Sequence, residues 1–195
     1  MSKPLFLLVG KSASGKTTMA DLLEKTYGYK SVESYTTRKP RYDGERGHIF
    51  ISEGDFDSLK GLVAYTEYDC HRYGTTSVQL DECDLYVVDI PGVETLLKKY
   101  NTKRAIHIIY FDSNISTRIL RMINRHDSDM AIIKRLLQDE KDDWFEQLNI
   151  LTNDYDDHKH VYLHRVDANQ ELADLFDNVW EVIHIGSNSV FNRMS

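Results

Sequence analysis

Gly10-Lys11-Ser12-Ala13-Ser14-Gly15-Lys16-Thr17 has the spacing G-x-x-x-x-G-K-[ST], an order of residue types that can wrap a backbone around phosphate oxygens. The glycines let the chain turn its N–H groups inward, and a following helix adds the positive end of its dipole. Lys16 is then placed to reach the β- and γ-phosphates of a nucleoside triphosphate, and the Thr17 hydroxyl to bind Mg2+. Gly10, Ser12, Ala13, Ser14, Gly15, Lys16, Thr17 and Thr18 make up the expected cradle. An ordinary glycine turn is the competing reading, and the flanks oppose it. Leu5-Phe6-Leu7-Leu8-Val9 is a buried-strand run, and Met19, Leu22, Leu23 and Tyr27 recur at helical spacing. A strand, a cradle and a helix in succession are the setting of a P-loop.

A second dense stretch runs from Ser34-Tyr35-Thr36-Thr37-Arg38-Lys39-Pro40-Arg41 to Gly44-Glu45-Arg46-Gly47-His48-Ile49-Phe50. Arg38 and Arg41 offer planar forks suited to phosphate, and Ser34 a hydroxyl. Such a cluster also fits a solvated basic loop, and the neighbouring P-loop shifts the balance towards binding. Asp89 ends an apolar strand, where an acid can hold a magnesium-bound water. Arg118, Arg121, Arg125 and Arg135 flank a break near Asp127, and Arg121 and Arg125 share a helical face. A solvated charged face is the alternative for these four. His158 and His160 beside Asp156 and Asp157 read as a polar surface loop rather than a metal site. Tyr65 and Tyr68 either stack on a base or pack their own sheet.

The elements that must position these residues alternate. After the first helix, residues 29–34 read as a second strand and residues 35–47 as a polar loop. Ser52 caps a short helix that Gly61 closes, and residues 62–68 and 72–75 read as two strands. Residues 34–76 therefore read as an inserted subdomain. A strand at 85–90, a helix at about 92–100, a strand at 105–111 and a helix at 114–124 follow. One long helix is expected over 130–148, with Ile132, Ile133, Leu136, Leu137, Trp144 and Leu148 as its stripe. A strand at 161–164, a helix at 170–183 and a loose tail at 186–195 close the chain. The expected class is α/β, with a parallel sheet covered by helices on both faces and the ligand at the carboxyl ends of the strands. The core comprises 1–33, 77–120 and 136–185, and residues 121–135 interrupt it.

A length of 195 residues fits one domain, and 41% hydrophobic with 28% charged residues fits a soluble globular protein. The net charge of -7 argues against a general nucleic-acid binder, and no apolar run approaches the roughly 18 residues of a membrane span. Cys70 and Cys83 are too few for a disulfide framework, so a cytoplasmic setting is expected.

With Tyr73-Gly74-Thr75, the basic stretch resembles the guanylate kinase family of nucleoside monophosphate kinases. The family's Ser-x-Thr-Thr-Arg-x-Pro-Arg stretch is matched from Ser34 to Arg41, its Gly-Glu-x-x-Gly-x-x-Tyr-x-Phe segment is shortened between Gly44 and Phe50, and its Tyr-Gly-Thr is intact. The resemblance spans nearly the whole chain. It implies a P-loop kinase fold in which residues 34–76 are the nucleotide-binding insertion and about 121–135 a mobile helical lid, and ATP- and Mg2+-dependent transfer of the γ-phosphoryl group to a mononucleotide, GMP or dGMP first. It also implies that Ser34, Arg38, Arg41 and Tyr73 hold the acceptor phosphate, that Thr75 lies near the base, and that Lys16, Arg121, Arg125 and Arg135 neutralise charge. Three positions depart from the pattern. Ala64 stands where the family has a guanine-binding glutamate, Asp89-Ile90-Pro91-Gly92 lacks the second acid of Asp-Ile-Asp-x-x-Gly, and His48 replaces a phosphate-binding tyrosine. Thr66 shares the face of Ala64 without a charge, and Glu67 points the other way. Two alternatives stay open: a kinase of the same architecture for another phosphorylated acceptor, and a non-catalytic binding module of the same fold.

Overall fold

The computed structural model describes residues 3–155 and 160–189. Four strands, β1 (Leu5–Val9), β6 (Leu85–Val87), β7 (Ile106–Asp112) and β8 (Val161–Asp167), form a parallel sheet in the order β6-β1-β7-β8. Their near-continuous apolar composition follows from burial on both faces. Leu5, Leu7, Val9, Ile106 and Ile108 join one apolar cluster with Val93, Leu96, Leu97 and Leu148, from helices α4 (Ile90–Lys99) and α7 (Trp144–Tyr155). Phe6, Leu8, Ile109 and Phe111 join the other with Met19, Leu23, Leu175, Val179 and Ile183, from α1 (Lys16–Tyr27) and α8 (Leu172–Ser189). Each fully buried leucine contributes about 1.5–3 kcal/mol, and together they fix where β1 ends and the P-loop begins.

The second sheet has the order β3-β2-β5-β4. Its strands are β2 (Ser34–Thr36), β3 (His48–Phe50), β4 (Leu62–Tyr68) and β5 (His71–Thr76). β2 and β3 are parallel, and β5 runs antiparallel to both β2 and β4. Asp69 and Cys70, with φ of 54° and 59°, make the two-residue turn joining β4 to β5, and positive φ at both residues gives the turn a twist that matches the right-handed twist of the strands. The short helix α2 (Glu53–Asp57) starts where Ser52 accepts the Asp55 N–H, and β4 packs on α4.

Several elements differ from the sequence-based expectation. The strand at 29–34 reduces to one bridge, Ser31 to Leu85, before the chain leaves for the second sheet at Ser34. Strand β3 and helix α3 (Ser77–Glu82) were not anticipated. The latter opens on a reciprocal capping box between Thr76 and Gln79. The single helix over 130–148 is two: α6 (Asp129–Asp139) and α7. The Asp143 carboxylate accepts the N–H groups of Phe145 and Glu146, both at 3.1 Å, and so starts a second helix inside a charged run. Helix α8 continues to Ser189, through the first residues of the anticipated tail, while residues 190–195 and His158 with Asp156 and Asp157 lie outside the described residues. Helix α5 (Ile115–Asn124) is capped by Asn114, and His126, with φ of 62°, breaks the chain before α6.

Candidate active site

β1 and α1 hold the P-loop in place. Its turn needs left-handed backbone at Ala13 (φ 61°) and Gly15 (φ 104°). At Gly10 the need is for space, since a β-carbon would lie 2.8 Å from both the Phe111 carbonyl oxygen and Ser14 Oγ. Lys16 Nζ donates to the Gly10 carbonyl at 2.6 Å and the Lys11 carbonyl at 3.0 Å. Burial lowers its pKa to about 8, with Asp139 opposing that shift and Arg118 adding to it. Thr17 and Thr18, at the start of α1, are exposed.

The arginines separate into different roles. Arg118 is fully buried, not part of a solvated face, and donates to Asp139 Oδ2 at 2.9 Å and Glu140 Oε1 at 2.5 Å. Arg121 donates to the Ser14 carbonyl at 3.1 Å and the Ala168 carbonyl at 2.8 Å, which ties the P-loop to the turn between β8 and α8. Arg125 and Arg135 converge on Asp127, at 2.5 Å and 3.5 Å. The Arg125 hydrogen bond holds that carboxyl below its usual range.

On the second sheet, parallel register sets Ser34 beside His48, and Ser34 Oγ lies 2.9 Å from His48 Nδ1. The His48 ring meets that of Tyr73 edge-on at 5.6 Å. Burial, then the Arg38 charge, lower the His48 pKa, so it is neutral at neutral pH. Arg38 is gripped by both oxygens of Glu45, at 2.8 Å and 3.1 Å, and Glu45 also accepts the Arg41 N–H at 2.7 Å. Burial acts to raise Glu45, but the Arg38 and Arg41 hydrogen bonds prevail and hold it ionised.

One cavity of about 670 Å³ joins the P-loop to the second sheet, and Arg38, Arg41, Arg121, Arg125 and Arg135 are not among its lining residues. Gly10, Ser12 and Lys16 form its P-loop wall, Ser34, His48 and Tyr73 the opposite wall, and Tyr65, Thr66, Tyr68 and Tyr86 line the space between them. Trp144, Ile150 and Leu151 close an apolar end. Asp89 also lines it, raised by burial, while its Oδ1 accepts the Gly92 N–H at 3.0 Å and so caps α4. Ala64 and Thr75 are paired across β4 and β5 at 1% and 0% exposure, and neither is among the residues that line the cavity. Sequence reasoning missed Glu45, although it lies in the Gly-Glu pair of the basic stretch. It also missed Asp139, whose one signal is its position a helical turn beyond Arg135. No group of three or more His, Cys, Asp or Glu side chains converges as a metal site among the described residues.

A parallel sheet with a P-loop at the end of its first strand, and a second sheet across one cavity, define the class: a P-loop kinase fold. No protein-family model matches the chain. It is 27% identical to the guanylate kinase of Bartonella quintana (strain Toulouse), in a match that covers 69% of this chain and 65% of the relative, so it spans slightly under two thirds of that protein. The crystal structure of guanylate kinase from Anaplasma phagocytophilum superposes with a TM-score of 0.52 at 14% identity, over 96% of this chain and 88% of that one. In motifs, sequence and fold the chain is similar to these guanylate kinases.

Proposed function

We propose that this protein is an ATP- and Mg2+-dependent nucleoside monophosphate kinase of guanylate kinase type, with GMP or dGMP as first acceptor. The observation that carries this reading is the shared cavity, with Lys16 in one wall and the Ser34, His48 and Tyr73 group in the other. No nucleophilic side chain is needed, because the acceptor phosphate is itself the attacking group. The protein's work is to bring two anions together and offset their charge.

Lys16 and the loop N–H groups bind the donor phosphates. Ser34, Arg38, Arg41 and His48 take the acceptor phosphate, and Tyr73 helps orient it. Arg125 and Arg135, paired through Asp127, approach from the lid. The Thr17 hydroxyl and Asp89 carboxylate are hard oxygen donors of the kind Mg2+ prefers, and Asp89 stands in the cavity wall. The ion, when bound, supplies charge neutralisation on the transferring group. The free thiols of Cys70 and Cys83 suit a reducing cytoplasm.

The absence of an acid at Ala64 favours a second reading, the same transfer to a different nucleoside monophosphate. ADP release measured across the nucleoside monophosphates, with Lys16→Ala as control, tests both. Turnover stimulated by GMP or dGMP and lost by at least about 100-fold in the variant is expected. Stimulation by another base alone selects the second reading, and none by any mononucleotide overturns both.

A further inference from the structure

The P-loop is already in contact with an anion, and that anion belongs to the chain itself. The Ser12 N–H, one of the loop donors that the proposed function assigns to phosphate, donates to Asp139 Oδ2 at 2.7 Å. Asp139 is only 3% exposed and lines the same cavity as Lys16. The same oxygen accepts Arg118 at 2.9 Å. The next residue repeats the pattern: Glu140 accepts Arg118 through one oxygen at 2.5 Å and Lys11 through the other at 3.1 Å. Two successive P-loop residues, 11 and 12, are thus tied to two successive residues at the end of α6, with a fully buried arginine between them.

We propose that Asp139 is a built-in substitute for a donor phosphate, a carboxylate that closes the cradle until a nucleoside triphosphate displaces it. The proposal rests on the donor-site reading of the P-loop. Two anions cannot share the Ser12 N–H and the neighbourhood of Lys16 at no cost, so triphosphate entry must expel the carboxylate. Expulsion has a mechanical result. Asp139 and Arg135 lie four residues apart on one helical face, so a displacement of the end of α6 moves the lid arginine as well. Donor binding and lid position are coupled through one helix, and apparent donor affinity is reduced by the fraction of molecules in which the carboxylate is seated.

The test is direct titration of the full chain with a non-hydrolysable ATP analogue and Mg2+, without acceptor. Asp139→Asn keeps an oxygen for the Ser12 N–H and the shape of the side chain but removes the charge. A dissociation constant at least about tenfold lower than that of the unmodified chain is expected. An unchanged or higher constant overturns the proposal, because Asp139 would then be neutral to the nucleotide or a ligand for it. Should the buried Arg118 fail to tolerate the amide, the double variant Arg118→Met/Asp139→Leu removes both charges and is expected to bind more tightly by the same criterion. Hydrogen exchange over residues 129–139 gives a second readout: the analogue should raise exchange in the unmodified chain, and unaltered or lower exchange contradicts displacement of α6. If neither chain binds the analogue, the donor-site reading itself falls. Intact binding with no gain in the variants removes this inference alone.

Discussion

Gly186 of α8 and His107 of β7 are fitted to one another: a β-carbon on Gly186 would lie 2.8 Å from the His107 Cε1. The imidazole fills the space that the missing side chain leaves. It is also stacked on His164, with ring centroids 5.2 Å apart and Nδ1 3.0 Å from His164 Nε2. This packing docks the end of α8 on the parallel sheet. Gly186→Ala should therefore cost about 1–3 kcal/mol, since neither the strand nor the helix backbone can give way easily. A thermal melt of the variant checks this, and an unchanged midpoint would show that the His107 ring moves aside.

The same pair makes stability depend on acidity. Burial first, and then the neighbouring His164, lower His107 from 6.5 to about 4. His164 is lowered by burial as well. In the unfolded chain both take up protons near pH 6.5, whereas the folded chain resists. The stability they support is complete above about pH 6.5 and is lost as the pH falls from there towards 4. Melting midpoints between pH 7.5 and 4.5 should fall, and His107→Phe should flatten the fall. A slope identical in the variant would assign the acid sensitivity to other groups.

His48 should make acceptor binding depend on pH in the opposite sense. It is uncharged at neutral pH because burial and Arg38 disfavour its proton. A bound phosphate favours that proton, so the residue helps more as the medium becomes acidic. The acceptor's own second ionisation, near pH 6, affects every variant alike. If the proposed activity holds, the KM ratio of His48→Phe to the unmodified chain should therefore rise between pH 8 and pH 6, with little change in kcat. A ratio independent of pH would leave His48 as a neutral hydrogen-bonding partner of Ser34.

Ala64→Glu addresses the base end of the site. Family resemblance alone assigns position 64 to guanine, yet Ala64 is 1% exposed and packs in the cluster that contains Val63 and Leu80. A carboxylate there lacks a charged partner and should cost at least about 2 kcal/mol in the nucleotide-free protein. Calorimetry of the variant with and without GMP separates two effects. A lower midpoint that GMP restores would place residue 64 at the base, and one that GMP leaves low would confirm a closed wall.

The parts legible in the sequence are those written in local pattern. Leu5–Val9 reads as a buried strand because all five residues are apolar, and the P-loop glycines read as a turn because no other residue serves there. The division of α6 from α7 was hidden because residues 139–143 contain neither Gly nor Pro. A carboxylate at Asp143 starts the new helix, and a carboxylate reads equally well as helix surface. Asp139 was invisible for a related reason: it looks like any solvated acid until tertiary packing brings Ser12 and Arg118 to it. The strand expected at 29–34 failed because Ser31 alone pairs with the parallel sheet. Residues 34–36 take part in a pairing that no local pattern announces.

Between Glu45 and His48 the chain is shorter than the family pattern, yet each end keeps its contact. Glu45 is pinned by the Arg38 fork, and His48 by its register opposite Ser34. The proposed acceptor contacts are therefore anchored at both ends of the segment and involve neither Arg46 nor Gly47. Such a segment is a point of tolerance: residues can be added or lost there, a label or affinity handle included, while the spacing of the groups that meet the acceptor stays the same.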